Sequence, residues 1–182
     1  MKYDIIIIGA GPGGIFSAYE LVQQNPDLKI AVFEAGHPLE KRHCPIDGDK
    51  IKSCINCKSC SIMSGFGGAG AFSDGKLSLS YEVGGNLPEL IGEDLAQETI
   101  NYTDKIYLEF GADTHIEGIG NTEEVKEIRK RAIQAGLKLV DCPIRHLGTE
   151  KAHDLYFDIE KYLIAQGVDI CLLYTSDAAD DK

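Results

Sequence analysis

The alternation of apolar and polar positions divides the chain into short, well-marked segments. Ile5 to Ile8 is a continuous β-branched run that stops at Gly9. Such a run predicts a strand buried on both faces of a parallel sheet. From Pro12 to about Gln24, Ile15, Ala18, Leu21 and Val22 recur at helical spacing, with Pro12 in the first turn where its missing N–H costs nothing. Asn25-Pro26-Asp27 marks a turn, and Leu28 to Glu34 reads as a second strand, completing a β-α-β unit. No periodicity holds over residues 35–62, which predicts a long loop. Leu77 to Val83 alternates weakly and is expected as a strand. The region 88–166 reads as mostly helical. Leu95 to Phe110 carries Ile100, Ile106, Tyr107 and Phe110 on one face. Asn121-Thr-Glu-Glu124 resembles a capping box that opens a helix to Ala135, stopped by Gly136. Leu137 to Val140 is expected as a short strand. Thr149 caps a helix to Gln166 with Leu155, Ile159, Tyr162 and Leu163 inward, and Val168 to about Leu173 begins another strand.

The turn after the first strand carries the first candidate chemistry. Gly9, Gly11 and Gly14 form G-x-G-x-x-G where strand becomes helix. The first glycine permits a tight turn, the second lets a pyrophosphate touch the backbone, and the third lets helix and strand pack closely. Free N–H groups and the positive dipole end favour phosphates there. Glu34 ends the second strand 20 residues after Gly14. It is placed to accept hydrogen bonds from a ribose hydroxyl pair, which disfavours a 2′-phosphate. The spacing points to the adenosine end of FAD or NAD and does not separate the two.

Composition narrows the partners. A net charge of −11 over 182 residues argues against nucleic acid or an anionic membrane. No apolar run reaches the ~18 residues of a membrane span, and the N-terminus lacks the pattern of a signal peptide. A cytoplasmic location is expected, so the six cysteines read as thiols or metal ligands, not a disulfide framework.

Four of those cysteines fall in the stretch 43–62. Cys54, Cys57 and Cys60 give C-x-x-C-x-x-C, with Cys44 ten residues before Cys54. Thiolates so spaced can converge on zinc or an iron–sulfur cluster. They also suit thiol–disulfide exchange. The loop 65–76, Gly-Phe-Gly-Gly-Ala-Gly-Ala-Phe-Ser-Asp-Gly-Lys, has five glycines in 12 residues, too many for a stable helix or strand on propensity alone. Its small residues let backbone approach a ligand. Arg42 is a candidate phosphate partner or a member of a surface Lys-Arg-His patch. Arg145 and His146, ahead of a helix N-terminus, are candidates for an anion or for structural ion pairing and turn capping.

Residues 3 to about 170 resemble the N-terminal part of FAD-dependent dehydrogenases of the NAD(P)/FAD-dependent oxidoreductase group, whose reaction is largely unassigned. The resemblance is carried by Gly9-Ala-Gly-Pro-Gly-Gly14, Ala18, Glu34, Arg42 to Pro45, the 65–76 glycine loop and Ile144-Arg-His-Leu-Gly-Thr-Glu150. It implies an α/β fold: a Rossmann-like FAD-binding domain of glutathione-reductase type, incomplete, with a helical insertion. FAD would lie across Gly9, Gly11, Pro12, Gly13, Gly14 and Glu34. The second loop, with Gly67, Gly68, Ala69 and Gly70, would lie under the pyrophosphate or near the flavin ring, where Ser73 and Lys76 could tune it. The activity implied is oxidoreduction of an unknown small molecule, with NAD(P)H as a possible electron donor. A non-catalytic flavin- or metal-binding module and an NAD-binding dehydrogenase are the alternatives. Residues 171–182 resemble the translation of a sequencing adapter, so 1–170 is expected as the domain proper and 171–182 as a non-native tail.

Overall fold

In the computed structural model, residues 2–173 are described. In chain order the elements are β1 (Ile5–Ile8), α1 (Pro12–Gln24), β2 (Ile30–Glu34), β3 (Lys76–Ser78), α2 (Leu87–Ile91), α3 (Glu93–Glu109), α4 (Glu123–Gln134), β4 (Ile144–His146), α5 (Thr149–Ala165) and β5 (Asp169–Leu172). Two short 3-10 turns, Leu39–Lys41 and Gly68–Phe72, lie between β2 and β3. The chain divides into two units. One contains residues 2–73 and 149–173, the other residues 74–148.

The first unit is a parallel three-stranded sheet of order β1-β2-β5. Ile5 pairs with Ile30 and Ile8 with Phe33, while Ala31 pairs with Asp169 and Glu34 with Leu172. A helix must connect parallel neighbours, and α1 does so between β1 and β2. It buries Ile15, Ala18, Tyr19 and Val22, so Tyr19 occupies the inward place expected for Leu21. On α5 the buried stripe is Ala152, Leu155, Tyr156, Ile159 and Leu163. Tyr162 is only partly covered, its ring 5.6 Å from that of Tyr19. Each fully buried Leu or Ile of this kind contributes about 2 kcal/mol relative to exposure.

β1 departs from the sequence expectation. Ile5 and Ile7 are partly covered, but Ile6 and Ile8 are 57% and 72% exposed. A four-residue apolar run marks a strand, and only its packing decides how many faces are covered. The expected boundary at residue 170 falls inside β5, and residues 174–182 lie outside the described residues.

In the second unit β3 and β4 form an antiparallel ladder with Lys76 opposite His146. Thr122 caps α4, its Oγ1 accepting from Val125 N at 3.3 Å, and Gly136 follows at φ +70°. No side chain of α4 is buried. The strand expected at Leu137–Val140 is absent. β4 forms instead, beyond Pro143, where Leu79 N bonds to Pro143 O and Leu147 N to Gly75 O. The strand expected over Leu77–Val83 is correspondingly short. No helix among the described residues is long and apolar enough to cross a membrane.

Candidate nucleotide-binding site

The turn from β1 into α1 is built from backbone. Gly9 N donates to Phe33 O at 2.7 Å, extending the β1–β2 pairing one residue past the strand. Gly11 caps α1 without a side-chain hydrogen bond, and Pro12 opens the first turn. The first intrahelical bond is Ile15 N to Gly11 O, so the N–H groups of Gly13 and Gly14 have no acceptor within the helix. Gly14 is fixed by packing. A methyl group on it would overlap the Gly9 carbonyl oxygen and stand 3.2 Å from the Ile7 side chain. Gly11 and Gly13 differ, because a methyl on either would meet nothing within 4 Å. Two glycines thus border open space beside a helix N-terminus, where an anion is favoured.

Glu34 closes this turn from β2. Oε2 accepts from Ala10 N at 2.9 Å, and Oε1 accepts from Gly36 N at 2.8 Å and Gly65 N at 3.0 Å. One carboxylate therefore joins the first glycine turn, the end of β2 and the start of the second glycine stretch. Ala10, buried on all sides, was missed as a site residue because alanine carries no chemical signal; its N–H and C=O do the work. The chain crosses itself at Gly36 and Gly65. A methyl on Gly65, which has φ +121°, would overlap His37 O and press on the Arg42 side chain.

The second glycine stretch lies against the first. Gly67 N donates to Ala10 O at 2.8 Å, and a methyl on Gly68 would stand 3.1 Å from Gly11 Cα. A methyl on Gly70 would meet the Tyr156 hydroxyl at 2.9 Å and Pro12 at 3.5 Å. Small residues are required because this 3-10 turn fills the gap between α1 and α5. Tyr156 is a second residue that sequence reasoning missed, although Tyr156, Ile159 and Leu163 share helical spacing. Ala69 is exposed. Ser73 Oγ donates to Gly70 O at 3.0 Å.

Several other candidates take different places. Arg42 is 4% exposed. Its Nε, Nη1 and Nη2 donate to the carbonyls of Ser61, Phe66 and Ile62 at 2.9, 2.6 and 2.7 Å. Its guanidinium also lies 4.6 Å from the centre of the Phe72 ring. It thus lies outside any surface patch, with three of its donors turned to carbonyls. Arg42 ties the 43–62 loop to the second glycine stretch, and burial lowers its pKa against the opposing pull of Glu34. Lys76, the exposed first residue of β3, pairs with Asp74 at 2.8 Å. That hydrogen bond holds Lys76 above its ordinary range and Asp74 below.

Arg145 is also no anion receptor. It is 2% exposed and forms a two-pronged pair with Asp104, Nη2 meeting Oδ2 at 2.8 Å, while Nη1 donates to the carbonyls of Asp113 and His115. The Asp104 bond holds its pKa above the ordinary value despite burial. His146 stands 3.6 Å from Glu117.

The cysteines do not converge. Cys54 and Cys57 are exposed, Cys44 and Cys60 half-buried, and all are free thiols. No three His, Cys, Asp or Glu among the described residues gather so as to hold a metal. Asn56, at φ +53°, turns the loop so that its own N–H meets Cys54 Sγ at 3.4 Å. The four-thiolate zinc or iron–sulfur expectation has no geometric support here.

Comparison with known proteins places similarity at this site. Residues 1–38 match the Thi4 family. A thiamine thiazole synthase of Coprinopsis cinerea is 54% identical over 33 residues, 18% of this chain and 10% of that protein. An uncharacterized protein of Clostridium beijerinckii is 37% identical over 78 residues, 43% of this chain and 14% of that protein. Among solved structures, an L-amino acid deaminase from Proteus vulgaris superposes with a TM-score of 0.45 at 15% identity, covering 94% of this chain and 40% of that one. At that score the likeness carries no functional conclusion. The matches to curated relatives thus span only 14% or less of those proteins' length. The Thi4 match covers the β1-α1-β2 unit, which is the first part of the stretch 3–170 that resembles FAD-dependent oxidoreductases.

Proposed function

We propose that the first unit holds the ADP end of FAD and belongs to an FAD-dependent oxidoreductase acting on a small molecule, with the Rossmann-like arrangement of glutathione-reductase type. One observation carries the reading. Gly11 and Gly13 border open space at the N-terminus of α1, while Gly14 beside them admits no side chain. A glycine kept where nothing in the protein requires its small size is explained by a ligand that does.

The residues present fit that ligand. Gly13 and Gly14 offer N–H groups to the pyrophosphate, and Gly9, Gly11 and Pro12 shape the turn beneath it. A carboxylate has about four acceptor positions. Three of those on Glu34 are taken by backbone N–H groups, which leaves room for a ribose hydroxyl. Gly67, Gly68, Ala69 and Gly70 wall the turn from the side, and Ser73 is the polar group that follows them in the same unit. Bound FAD would supply the electron-transfer chemistry, and these residues bind and orient it.

The test uses the openness at position 11. Gly11→Val adds a branched side chain whose Cβ would meet nothing within 4 Å, at a φ of −75° that valine adopts readily. Its circular dichroism and melting should match the parent. FAD affinity, measured by quenching of flavin fluorescence, should fall by about a hundredfold or more, since the pyrophosphate loses its backbone contacts. A variant that binds FAD like the parent, or a parent that binds NAD and not FAD, would overturn the assignment.

A further inference from the structure

The second unit carries an amphipathic helix whose apolar stripe buries no residue. In α4, Val125, Ile128, Ala132 and Ile133 share helical spacing, a pattern that ordinarily faces a core. None of its side chains is buried, and Ile133 is 67% exposed. Ile128, and Leu137 just past the helix, are exposed as well. Beside Ile133 runs a groove of about 370 Å³, lined by Asn121, Lys126, Arg129, Lys130, Ile133 and Gln134. The stripe is set among cations. Residues 125–140 hold five basic residues and one acidic one, the reverse of a chain with 29 acids and 18 lysines and arginines.

A surface of opposite charge lies on the same unit. Leu87, Leu90 and Ile91 occupy one side of α2, and Leu95 stands in the first turn of α3. All four are exposed, Leu90 at 75%. Residues 77–104 contain six acidic residues and no lysine, arginine or histidine. Asp94 and Glu98, one turn apart on α3, flank Leu95. Among the described residues, Asp94, Glu98 and Lys130 take no part in an ion pair. The two surfaces do not cover each other within one chain, since Leu87, Leu90, Ile91, Leu95, Ile128 and Ile133 all remain exposed. Each chain therefore presents two apolar patches, one rimmed by cations and one by carboxylates.

We propose that a second copy of this chain docks here, its α2 and the first turns of α3 lying on the α4 groove. Leu90, Ile91 and Leu95 of one copy pack on Ile133 of the other, and Asp94 and Glu98 meet Lys126 and Lys130. The apolar residues supply the attraction, and the charges select which faces meet. Arg129, held to Asp141 at 2.7 Å, fixes one wall of the groove. The contact joins unlike surfaces, so the mass reached tells whether it closes in a pair or continues along a row of copies. The assignment is independent of the flavin reading.

The experiment measures the weight-average mass of the full chain by sedimentation equilibrium over a concentration series at one fixed salt concentration. The parent's mass should exceed that of one chain and rise with concentration. Two charge reversals are made at exposed helix positions, Lys126→Glu with Lys130→Glu on α4 and Asp94→Lys with Glu98→Lys on α3. Lysine and glutamate are comparable helix formers, so circular dichroism should match the parent. In each variant Kd should rise by about tenfold or more, because like charges now meet. An equimolar mixture of the two should regain the parent's association, since the acidic α4 of one then faces the basic α3 of the other. That recovery also shows both variants to be folded. Leu90→Ser changes no charge and should weaken association as well. Ile6 and Ile8 are untouched throughout, so association through β1 would persist in every variant. A parent that stays a single chain, a Leu90→Ser or charge-reversed variant that associates like the parent, or a mixture that associates no more than its components would overturn the proposal.

Discussion

Glu160 shows how one side chain can set a pH dependence. It sits on the buried face of α5 at 6% exposure, and its Oε2 has no hydrogen-bond partner. Burial, with Glu40 adding like-charge repulsion, raises its pKa from the ordinary 4.5 to about 7. The folded protein therefore keeps a proton that the unfolded chain releases at lower pH. Stability is undiminished below pH 4.5, falls as pH rises toward 7, and stays lowered above that. The penalty is on the order of 1–3 kcal/mol. Glu160→Gln removes the titration while keeping the shape. In urea denaturation the variant should match the parent near the acid end of that window and exceed it by about 1–3 kcal/mol above its upper end. Equal stability of the two proteins at every pH would show that Glu160 is solvated in solution.

At the scale of elements, legibility followed how local the determining signal is. The bounds of α1 could be read because Pro12 and the Asn25-Pro26-Asp27 turn punctuate a periodic segment. The start of α4 was legible for the same reason, its Thr122 cap being a contact three residues long. β4 was not. Its sequence Ile-Arg-His places a charged residue in a three-residue strand, and what allows that residue inside is Asp104, 41 positions away. Leu137–Val140 looked the better strand but has no partner to pair with. Arg42 misled in the same manner, since its acceptors are carbonyls and carbonyls leave no mark in a sequence. The Arg145–Asp104 pair makes a firm prediction. Arg145→Met leaves Asp104 half-buried without its partner, and such a loss costs about 3–5 kcal/mol. Amide exchange should then accelerate across 74–148, including α3 and β4. Pairing it with Asp104→Leu should recover part of the loss, because no charge is left unpaired. A single variant with unchanged exchange would show that the pair contributes little to this unit.

For the whole molecule, two opposing features bear on behaviour in solution. The net charge of −11 repels copies of the chain from one another. Against this, β1 presents Ile6 and Ile8 to solvent on one face, and among the described residues it pairs with β2 alone. Exposed apolar side chains on an edge strand are a site for non-specific association. Which feature dominates depends on salt, since screening shortens the reach of repulsion from about 30 Å at 0.01 M to about 3 Å at 1 M without weakening apolar contact. Raising salt should therefore increase the apparent mass in light scattering and the fluorescence of a hydrophobic dye such as ANS. Ile6→Thr with Ile8→Thr keeps β-branched residues on the strand and removes most of the apolar surface. Because both positions are exposed, melting should shift little, within about 0.5 kcal/mol per substitution. Salt-induced association and dye binding should drop together in the double variant. If association rises with salt as steeply as in the parent, its source is another surface, and the exposed helix α4 with Ile128 and Ile133 would be the next to substitute.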